Sequence, residues 1–307
     1  MTLRLAIVGL GKIARDQHLP AIAATEGIEL SAIASPHSRL DGVACFASLD
    51  DLLERGPALD AVALCTPPQG RQALAARALA AGLHVLLEKP PGATVAELRP
   101  LGRQASETGR TLFASWHTRF APVVPAARAF LSEHPPKAVT ITWKEDVRVW
   151  HPGQDWIFEP GGLGVFDPGI NALSLITALL PDPLFVTKAD LFVPENRQAP
   201  IAANLKLSNA AGLPIHAEFD FRQSGEQSWD MRFETEAGPC LISGGGTRMS
   251  QAGRIVVDEP EREYPALYRR FLDLVAKGES EIDDAPLVLV ADAFLIGRRL
   301  GVEAFES

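Results

Sequence analysis

The sequence predicts two domains: an N-terminal α/β domain with a parallel sheet and a C-terminal α+β domain with an open, mainly antiparallel sheet. Strand and helix patterns alternate through the first third of the chain, which is typical of parallel strands joined by crossover helices. From about residue 137, long strands with alternating apolar residues follow one another, as in antiparallel sheets. A chain of 307 residues is long enough for both domains to bury a core.

The first domain is assigned to residues 1–120 and is expected to contain five strands separated by helical segments. Short apolar runs bounded by Gly, Pro and polar residues identify the strands, and Gly82 ends an alanine-rich helix. The strands are expected at 3–9, 28–35, 61–66, 84–89 and 111–116, and further helices at about 12–25, 49–55 and 94–108.

The second domain is assigned to residues 121–307. Its strands are expected at 138–146, 184–194, 201–210, 213–223 and 229–238, and its helices near 166–179, 264–277 and 286–300. The last two helices are amphipathic, and their packing back on the first domain is left open. The outer face of the sheet either meets solvent or forms a homodimer, since antiparallel sheets permit both.

Composition and charge exclude several classes of protein. The chain is 47% apolar and 22% charged, as ordinary globular proteins are. Its net charge of −9 argues against a nucleic-acid partner, and no apolar run approaches the ~18 residues of a membrane helix. Three cysteines give neither a disulfide framework nor a zinc spacing. With no signal-peptide pattern, we expect a cytoplasmic protein.

A glycine loop follows the first strand, Gly9-Leu10-Gly11-Lys12-Ile13-Ala14. In a G-x-G-x-x-A loop the first glycine makes the turn, the second lets the backbone approach a pyrophosphate, and the alanine lets helix and strand pack closely. The following helix N-terminus attracts the anion. The loop therefore predicts a Rossmann-type site for NAD or NADP, with a ligand-free turn as the alternative.

The end of the second strand bears on the choice of cofactor. NAD-preferring sites carry an acid there, whereas this chain reads Ser35-Pro36-His37-Ser38-Arg39. Without a carboxylate to repel it, a 2′-phosphate can bind the Ser38 hydroxyl and the Arg39 guanidinium. We expect NADP to be accepted and NAD tolerated, unless Arg39 is merely solvated.

Later strand ends supply further candidates, because ligands of open α/β sheets bind beyond the carboxyl ends of the strands. Thr66 and Pro67 follow one strand, and Glu88 and Lys89 end the next, before Pro90. All four are candidates for cofactor binding. Lys89 is also placed to act on a substrate hydroxyl. The alternative is an ordinary ion pair between Glu88 and Lys89.

The start of the helix near 166–179 carries two polar residues. Asp167 is a good N-cap, and Pro168 suits the first helical position. Because Asp167 and Asn171 are four apart, both side chains would project from one side of the helix. The pair is either a simple helix start or a pair of groups that face a substrate.

A cluster of aromatic and polar residues precedes that helix. Trp143, Trp150 and Trp156 fall within fourteen residues, interleaved with Glu145 and His151. A sugar needs flat apolar surface for its C–H face and polar groups for its hydroxyls. The segment therefore indicates a sugar pocket, although each tryptophan singly would fit a core.

These motifs together resemble the glucose–fructose oxidoreductase/inositol dehydrogenase family, which has G-x-G-x-x-A after the first strand and E-K-P after a later one. The family's second motif, G-G-G-x-x-x-D-x-G-x-H-x-x-D, matches at Asp167 and Gly169, but Asn171 replaces His and Ser174 replaces Asp. The strings around 143–148, 150–154 and 167–173 look like the bacterial L-arabinose and D-galactose 1-dehydrogenases of this family. The resemblance extends along essentially the whole chain.

The resemblance implies oxidation of L-arabinose or D-galactose at C1 to a lactone, with NADP or NAD as cofactor. Asn171 cannot accept a proton, so Asp167 is the leading base, Lys89 polarises O1, and Asn171 orients the sugar. Exchange of the base roles of Asp167 and Lys89 stays open. Hydride transfer needs no metal. The residues expected to bind the substrate are Glu145, His151, Trp150 and His117.

Two alternatives remain at this point. One keeps the family and changes the substrate to inositol or glucose, or makes the enzyme a sugar reductase; Asn171 in place of His weighs against inositol. The other is a non-catalytic sensor of sugar and dinucleotide. Retention of both Lys89 and Asp167 argues against a sensor, which has no need of a proton acceptor.

Overall fold

The computed structural model describes residues 2–306 and divides the chain into two compact units. Unit 1 contains the residues up to His117 together with Glu263–Asp284, and unit 2 contains Thr118–Arg262 and the residues from Ala285 onward. Unit 1 is built on a parallel sheet and unit 2 on a mixed sheet, so the predicted fold class is confirmed.

Unit 1 has a six-stranded sheet in which every pairing is parallel. The strands are β1 (Leu3–Val8), β2 (Ile28–Ala34), β3 (Ala44–Phe46), β4 (Ala61–Leu64), β5 (His84–Glu88) and β6 (Leu112–Ser115). Their order is β3-β2-β1-β4-β5-β6, so the chain reverses direction across the sheet between β1 and β4. Open α/β sheets bind their ligands at such a point.

Helical segments connect these strands. A π-helical turn at Ala14–His18 continues into α1 (Leu19–Ala24), and α2 (Leu49–Arg55), α3 (Arg71–Ala80) and α4 (Leu98–Thr108) follow. The side chains of β1, β4 and β5 are almost wholly buried, as expected of strands with helices on both faces. The short strand β3 was not predicted from the sequence.

Unit 2 has a nine-stranded sheet. Its strands are β7 (Ala138–Lys144), β8 (Phe185–Pro194), β9 (Ala202–Ser208), β10 (Ile215–Asp220), β11 (Ser228–Thr235), β12 (Gly238–Ser243), β13 (Arg248–Gln251), β14 (Arg254–Asp258) and β15 (Arg298–Val302). The order is β14-β13-β12-β11-β7-β10-β9-β8-β15, and only the β7/β10 and β8/β15 pairings are parallel. The mainly antiparallel character is therefore as predicted.

The remaining helices are α5 (Val124–Glu133), α6 (Val147–Trp150), α7 (Phe166–Leu179), α8 (Glu263–Lys277) and α9 (Ala285–Ile296). Helix α7 lies on the buried face of the sheet of unit 2: Phe166 packs edge-on against Phe219 of β10, with ring centroids 5.8 Å apart. Gly169 permits this approach, since a Cβ there would stand 3.2 Å from the Phe219 ring. Helix α8 belongs to unit 1 and α9 to unit 2.

The end of the chain differs from the sequence prediction. A helix was expected over 286–300, but α9 stops at Ile296 and β15 pairs with β8. The reason is Gly297, where a Cβ would stand 2.3 Å from the Ala293 carbonyl oxygen and 2.8 Å from Leu191 Cδ1. The strands β12, β13 and β14 were also missed, because they are short and only partly alternate. Among the described helices, none is both long and apolar enough to cross a membrane.

Replacement of Gly297 by alanine is expected to destabilise unit 2. The added methyl group has no room between Ala293 and Leu191, and overpacking of this kind costs about 1–3 kcal/mol. Urea unfolding of Gly297→Ala should show a lower midpoint than wild type. Gly301→Ala is the matched control, since a Cβ at Gly301 of β15 meets nothing within 4 Å. Equal midpoints for the two variants would contradict the argument.

Candidate functional site

The glycine loop has the geometry that a dinucleotide requires. Gly9 has a φ of +93°, and a Cβ there would stand 2.8 Å from the Thr66 backbone nitrogen. Gly11 is exposed, and the position of its missing Cβ meets nothing within 4 Å, so space beside the backbone is open. Ala14 is fully buried under the sheet. The residues present therefore fit a pyrophosphate, and Lys12 and Ile13 complete the loop.

The end of β2 has the composition predicted for an NADP site. The Ser35 backbone N–H donates to the Phe46 carbonyl at 2.9 Å, which fixes the start of the segment. Ser38 is half-buried and Arg39 is exposed, with its guanidinium 3.5 Å from the Cys45 carbonyl oxygen. Between residues 35 and 39 there is no carboxylate, so a 2′-phosphate meets only hydroxyl, imidazole and guanidinium groups.

One buried arginine holds the next two strand ends together. Arg71, at the start of α3, is 2% exposed, and its guanidinium donates to the carbonyl oxygens of Thr66, Glu88 and Pro90. Thr66 follows β4, and the other two residues flank Lys89. Arg71 therefore fixes the backbone on both sides of Lys89, a role that its place in the alanine-rich helix did not reveal.

Glu88 is not the partner in an ordinary surface ion pair, because it is only 2% exposed. Its Oε1 accepts a hydrogen bond from Tyr264 Oη at 2.5 Å and lies 3.3 Å from His18 Nε2. Its Oε2 accepts from the Lys89 backbone N–H. His18 Nδ1 in turn lies 2.7 Å from Tyr268 Oη. The carboxylate thus binds groups from the first helical segment and from α8.

The charges in this cluster depend on one another. Burial by itself raises the pKa of Glu88, but the hydrogen bond and charge of His18, with the charges of His117 and Lys89, lower it to about 2. Burial lowers the pKa of His18, but Cys65, Tyr268 and Glu88 raise it well above its ordinary value. Burial and the Glu88 charge raise the pKa of Tyr264 well above its usual range. The cluster therefore holds an ionised Glu88 beside a protonated His18.

His18, Tyr264 and Tyr268 were missed in the sequence. Tyr264 is 176 residues from Glu88, and no local pattern links the two. His117, a candidate for substrate binding, also lies in unit 1, where its Nδ1 contacts the Glu263 carboxylate and its ring stacks on Tyr264 at 5.2 Å.

Unit 2 brings together most of the other candidates. Glu145 directly follows β7, and Asp167 lies in the first turn of α7; both are 4% exposed. His151 Nε2 lies 3.6 Å from Glu145 Oε1 and 3.6 Å from Asp167 Oδ2. A single imidazole therefore stands between two buried carboxylates, whose charges it can balance when protonated.

Two tryptophans lie beside these carboxylates, and one of them was missed. Trp229 of β11 donates its indole N–H to Glu145 Oε2 at 2.9 Å. Its ring lies 5.1 Å from that of Trp150, which is 37% exposed, and 6.1 Å from that of Trp143, which is buried. Trp143 is thus a core residue, whereas Trp150 and Trp229 are accessible. Trp229 is distant in sequence and could be found only through the pairing of β7 with β11.

The predicted cap of α7 is wrong. The helix begins at Phe166, and the residue before it, Val165, makes no side-chain cap. Asp167 and Pro168 are therefore the second and third helical residues. Proline is tolerated there because N–H groups of the first turn have no intrahelical partner. Asp167 is left to face His151, and Asn171 follows one turn later on the same side.

The Asn171 backbone is fixed by hydroxyl groups. Its carbonyl oxygen accepts from Thr118 Oγ1 at 3.1 Å and from Ser174 Oγ at 2.9 Å, and these hydroxyls lie 2.6 Å apart. Ser174, which stands where the family motif has an acid, thus holds the helix that carries Asp167 and Asn171. Carboxylate, imidazole and indole groups, with Asn171 on the same helix as Asp167, suit a ligand rich in hydroxyl groups.

Glu88 is expected to make the stability of the protein depend on acidity. The pKa of Glu88 is about 2 in the folded protein, compared with an ordinary value of 4.5. The ionised carboxylate therefore contributes its full stabilisation of the folded state above pH 4.5, and this stabilisation is lost as the pH falls toward 2. The full contribution of Glu88 to the free energy of unfolding is about 3 kcal/mol, at ~1.36 kcal/mol per pKa unit. Between about pH 5 and pH 3, the free energy of unfolding should fall more steeply in wild type than in Glu88→Gln.

The control for this measurement is Glu107→Gln, at an exposed position of α4, which should follow the wild-type curve at each pH. Parallel curves for wild type and Glu88→Gln, measured by urea unfolding, would show that Glu88 carries no such linkage.

Similarity to known proteins agrees with this geometry. A family model described as an oxidoreductase family with an NAD-binding Rossmann fold matches residues 3–115. The galactose 1-dehydrogenase of Pseudomonas fluorescens is 49% identical over 99% of this chain and 98% of its own length. The crystal structure of D-galactose-1-dehydrogenase from Rhizobium etli has 55% identity and a TM-score of 0.94, covering 99% of this chain and 98% of that one.

A more distant structure shares the fold alone. The 3-ketoreductase KijD10 from Actinomadura kijaniata, in complex with NADP and TDP-benzene, is 21% identical with a TM-score of 0.84, over 98% of this chain and 100% of that chain. The prediction of an NAD(P)-dependent oxidoreductase is confirmed by the family model and the two galactose dehydrogenases. With close relatives along nearly its whole length, the chain belongs to the glucose–fructose oxidoreductase/inositol dehydrogenase family of NAD(P)-dependent oxidoreductases.

Proposed function

We propose that the protein oxidises D-galactose and L-arabinose at C1 to the corresponding lactones, with NADP or NAD as hydride acceptor. The observation that carries the proposal is the group of two buried carboxylates around His151, flanked by Trp150 and Trp229. It occurs in a chain 49% identical to a galactose 1-dehydrogenase over almost its full length.

The sugar would be bound by the residues of unit 2. Glu145 is held by the Trp229 indole through one carboxylate oxygen, so Oε1 can accept a hydrogen bond from a sugar hydroxyl. His151 adds a donor or acceptor, and the accessible faces of Trp150 and Trp229 can cover the C–H face of the ring. The two sugars share the configuration of their ring hydroxyls and differ at the exocyclic CH2OH. An apolar boundary there would discriminate them by only ~1–3 kcal/mol.

The proton of the C1 hydroxyl needs an acceptor, and we assign Lys89. Asp167 presents a buried carboxylate from the first turn of α7. Such a group binds a hydroxyl well as an acceptor of its hydrogen bond. Asp167 would therefore hold the C1 hydroxyl, Asn171 would orient it, and Lys89 would take the proton. Bound NAD(P) supplies the acceptor for the hydride of C1.

The cofactor would be held by unit 1. The backbone of Gly9–Ala14 would bind the pyrophosphate, and Ser35, Ser38 and Arg39 would bind the adenosine ribose and its 2′-phosphate. Thr66, Pro67, Glu88 and Lys89 complete the proposed set, with Glu88 acting through its contact with the Lys89 backbone. We also propose that the protein acts in the cytoplasm, as a homodimer formed through the sheet of unit 2.

The proposed activity can be tested by following reduced-nicotinamide absorbance with purified protein, either cofactor and a panel of sugars. We expect turnover with D-galactose and L-arabinose, and little with D-glucose or myo-inositol. Asp167→Asn should raise the KM for the sugar, whereas Lys89→Met should lower kcat by about 10²-fold or more, the usual loss on removal of a proton acceptor. Turnover of myo-inositol alone would refute the aldose assignment. Cofactor binding without turnover of any sugar would indicate a sensor.

Replacement of Arg39 by alanine is expected to separate the two cofactors. Loss of a charge-assisted bond to a phosphate should lower kcat/KM for NADP by about 10-fold or more, at ~1.5–3 kcal/mol per bond. The value for NAD should change little, because NAD has no 2′-phosphate, and it serves as the internal control. Equal losses of kcat/KM for both cofactors would show that Arg39 does not bind the 2′-phosphate.

A further inference from the structure

His117 and Lys89 extend from the ends of neighbouring strands. Glu88, the last residue of β5, is in register with Ser115, the last residue of β6. Lys89 follows the first and His117 comes two residues after the second. Both therefore lie at the carboxyl edge of the sheet of unit 1, where ligands of such sheets bind. His117 has no part in the reaction proposed above.

His117 is held as one member of an imidazole–carboxylate pair. Its Nδ1 contacts the Glu263 carboxylate at the start of α8, and its ring stacks on Tyr264 with the planes 21° apart. The side chain of His117 is 14% exposed and that of Glu263 is 7% exposed. A carboxylate that binds one ring nitrogen fixes the tautomer and directs the other nitrogen, Nε2, toward a different partner.

The charged groups around His117 come from both elements packed against it. Glu263 and Tyr264 belong to α8, while Glu88 and Lys89 belong to the end of β5. Burial lowers the pKa of His117, but the carboxylates of Glu263 and Glu88 outweigh burial and the Lys89 charge, and raise it. His117 is thus electrostatically linked to Lys89.

We propose that His117, oriented by Glu263, takes from Lys89 the proton that sugar oxidation releases and passes it to solvent. The inference rests on the proposed function. In the reaction C1 loses hydrogen with its electron pair as hydride, and the O1–H bond breaks. That proton forms an N–H bond on unprotonated Lys89, and the same proton then moves to His117 Nε2. Lys89 is thereby ready for the next sugar. His117 acts through Lys89 and does not need to touch the substrate.

The proposal predicts a specific dependence of kcat on pH. His117 accepts a proton only when it is neutral, so kcat should rise with pH through the pKa of His117. Glu263→Gln removes the carboxylate that raises this pKa, so the rise should move to lower pH. His117→Gln can still bind Glu263 but cannot titrate. The kcat of this variant should not rise with pH in this range and should be lower than that of wild type by about 10-fold or more. Its KM for the sugar should be unchanged.

The test is a pH profile of kcat with D-galactose and NADP for wild type, His117→Gln and Glu263→Gln. His216→Gln, at an exposed position of β10, is the control for the loss of a histidine and should match wild type. In a second arm, imidazole added to the His117→Ala variant should restore part of kcat. Added imidazole would not restore kcat if His117 had only a structural role. Binding of NADP and the melting temperature report whether each variant is folded.

Three outcomes would count against the proposal, and they differ in what they exclude. If wild type oxidises the sugar and His117→Gln keeps both its kcat and its profile, the relay is wrong and the proposed function stands. If wild type reduces no cofactor with any sugar, the proposed function and the relay fail together. A folded His117→Ala variant that imidazole does not rescue would also count against the relay.

Discussion

The buried carboxylate of Glu88 is the interaction on which unit 1 depends. It accepts a hydrogen bond from Tyr264, lies against His18 and binds the backbone N–H of Lys89. An ionised group so deeply buried is stable only when its partners surround it, and removal of one partner costs about 3–5 kcal/mol. The same contacts that make the charge tolerable also fix the residue beside it. Structural stability and the position of Lys89 are therefore inseparable here.

Unit 2 also buries carboxylates, but it surrounds them with different partners. Glu145 and Asp167 are as buried as Glu88, but a single imidazole, His151, stands 3.6 Å from each of them, and Trp229 donates to Glu145. In unit 1 Glu88 accepts hydrogen bonds from Tyr264 and from the Lys89 backbone, whereas in unit 2 one histidine stands beside two carboxylates. Buried acids are therefore balanced by different groups in the two units.

The fold and part of the site could be predicted from the sequence because their signals are local. The glycine loop of Gly9–Ala14 lies within one strand–turn–helix unit, and Asp167 and Asn171 are one helical turn apart. The remaining residues depend on long-range pairing. Trp229 reaches Glu145 only through the register of β7 with β11, and Tyr264 reaches Glu88 from α8. The predicted cap at Asp167 is wrong because the helix begins at Phe166, after Val165, without a polar cap. Sequence preferences for helix caps do not predict such a start.

The chain order of unit 1 has a consequence for synthesis. Helix α8 follows all of β7–β14, so Tyr264 and Tyr268 leave the ribosome long after Glu88 and His18. Until then Glu88 lacks its hydrogen bond from Tyr264, and His18 lacks its contact with Tyr268. The N-terminal part of unit 1 therefore lacks α8 while most of the second sheet is translated. Although the glycine loop is made first, the dinucleotide-binding unit is among the last parts of this protein to be completed.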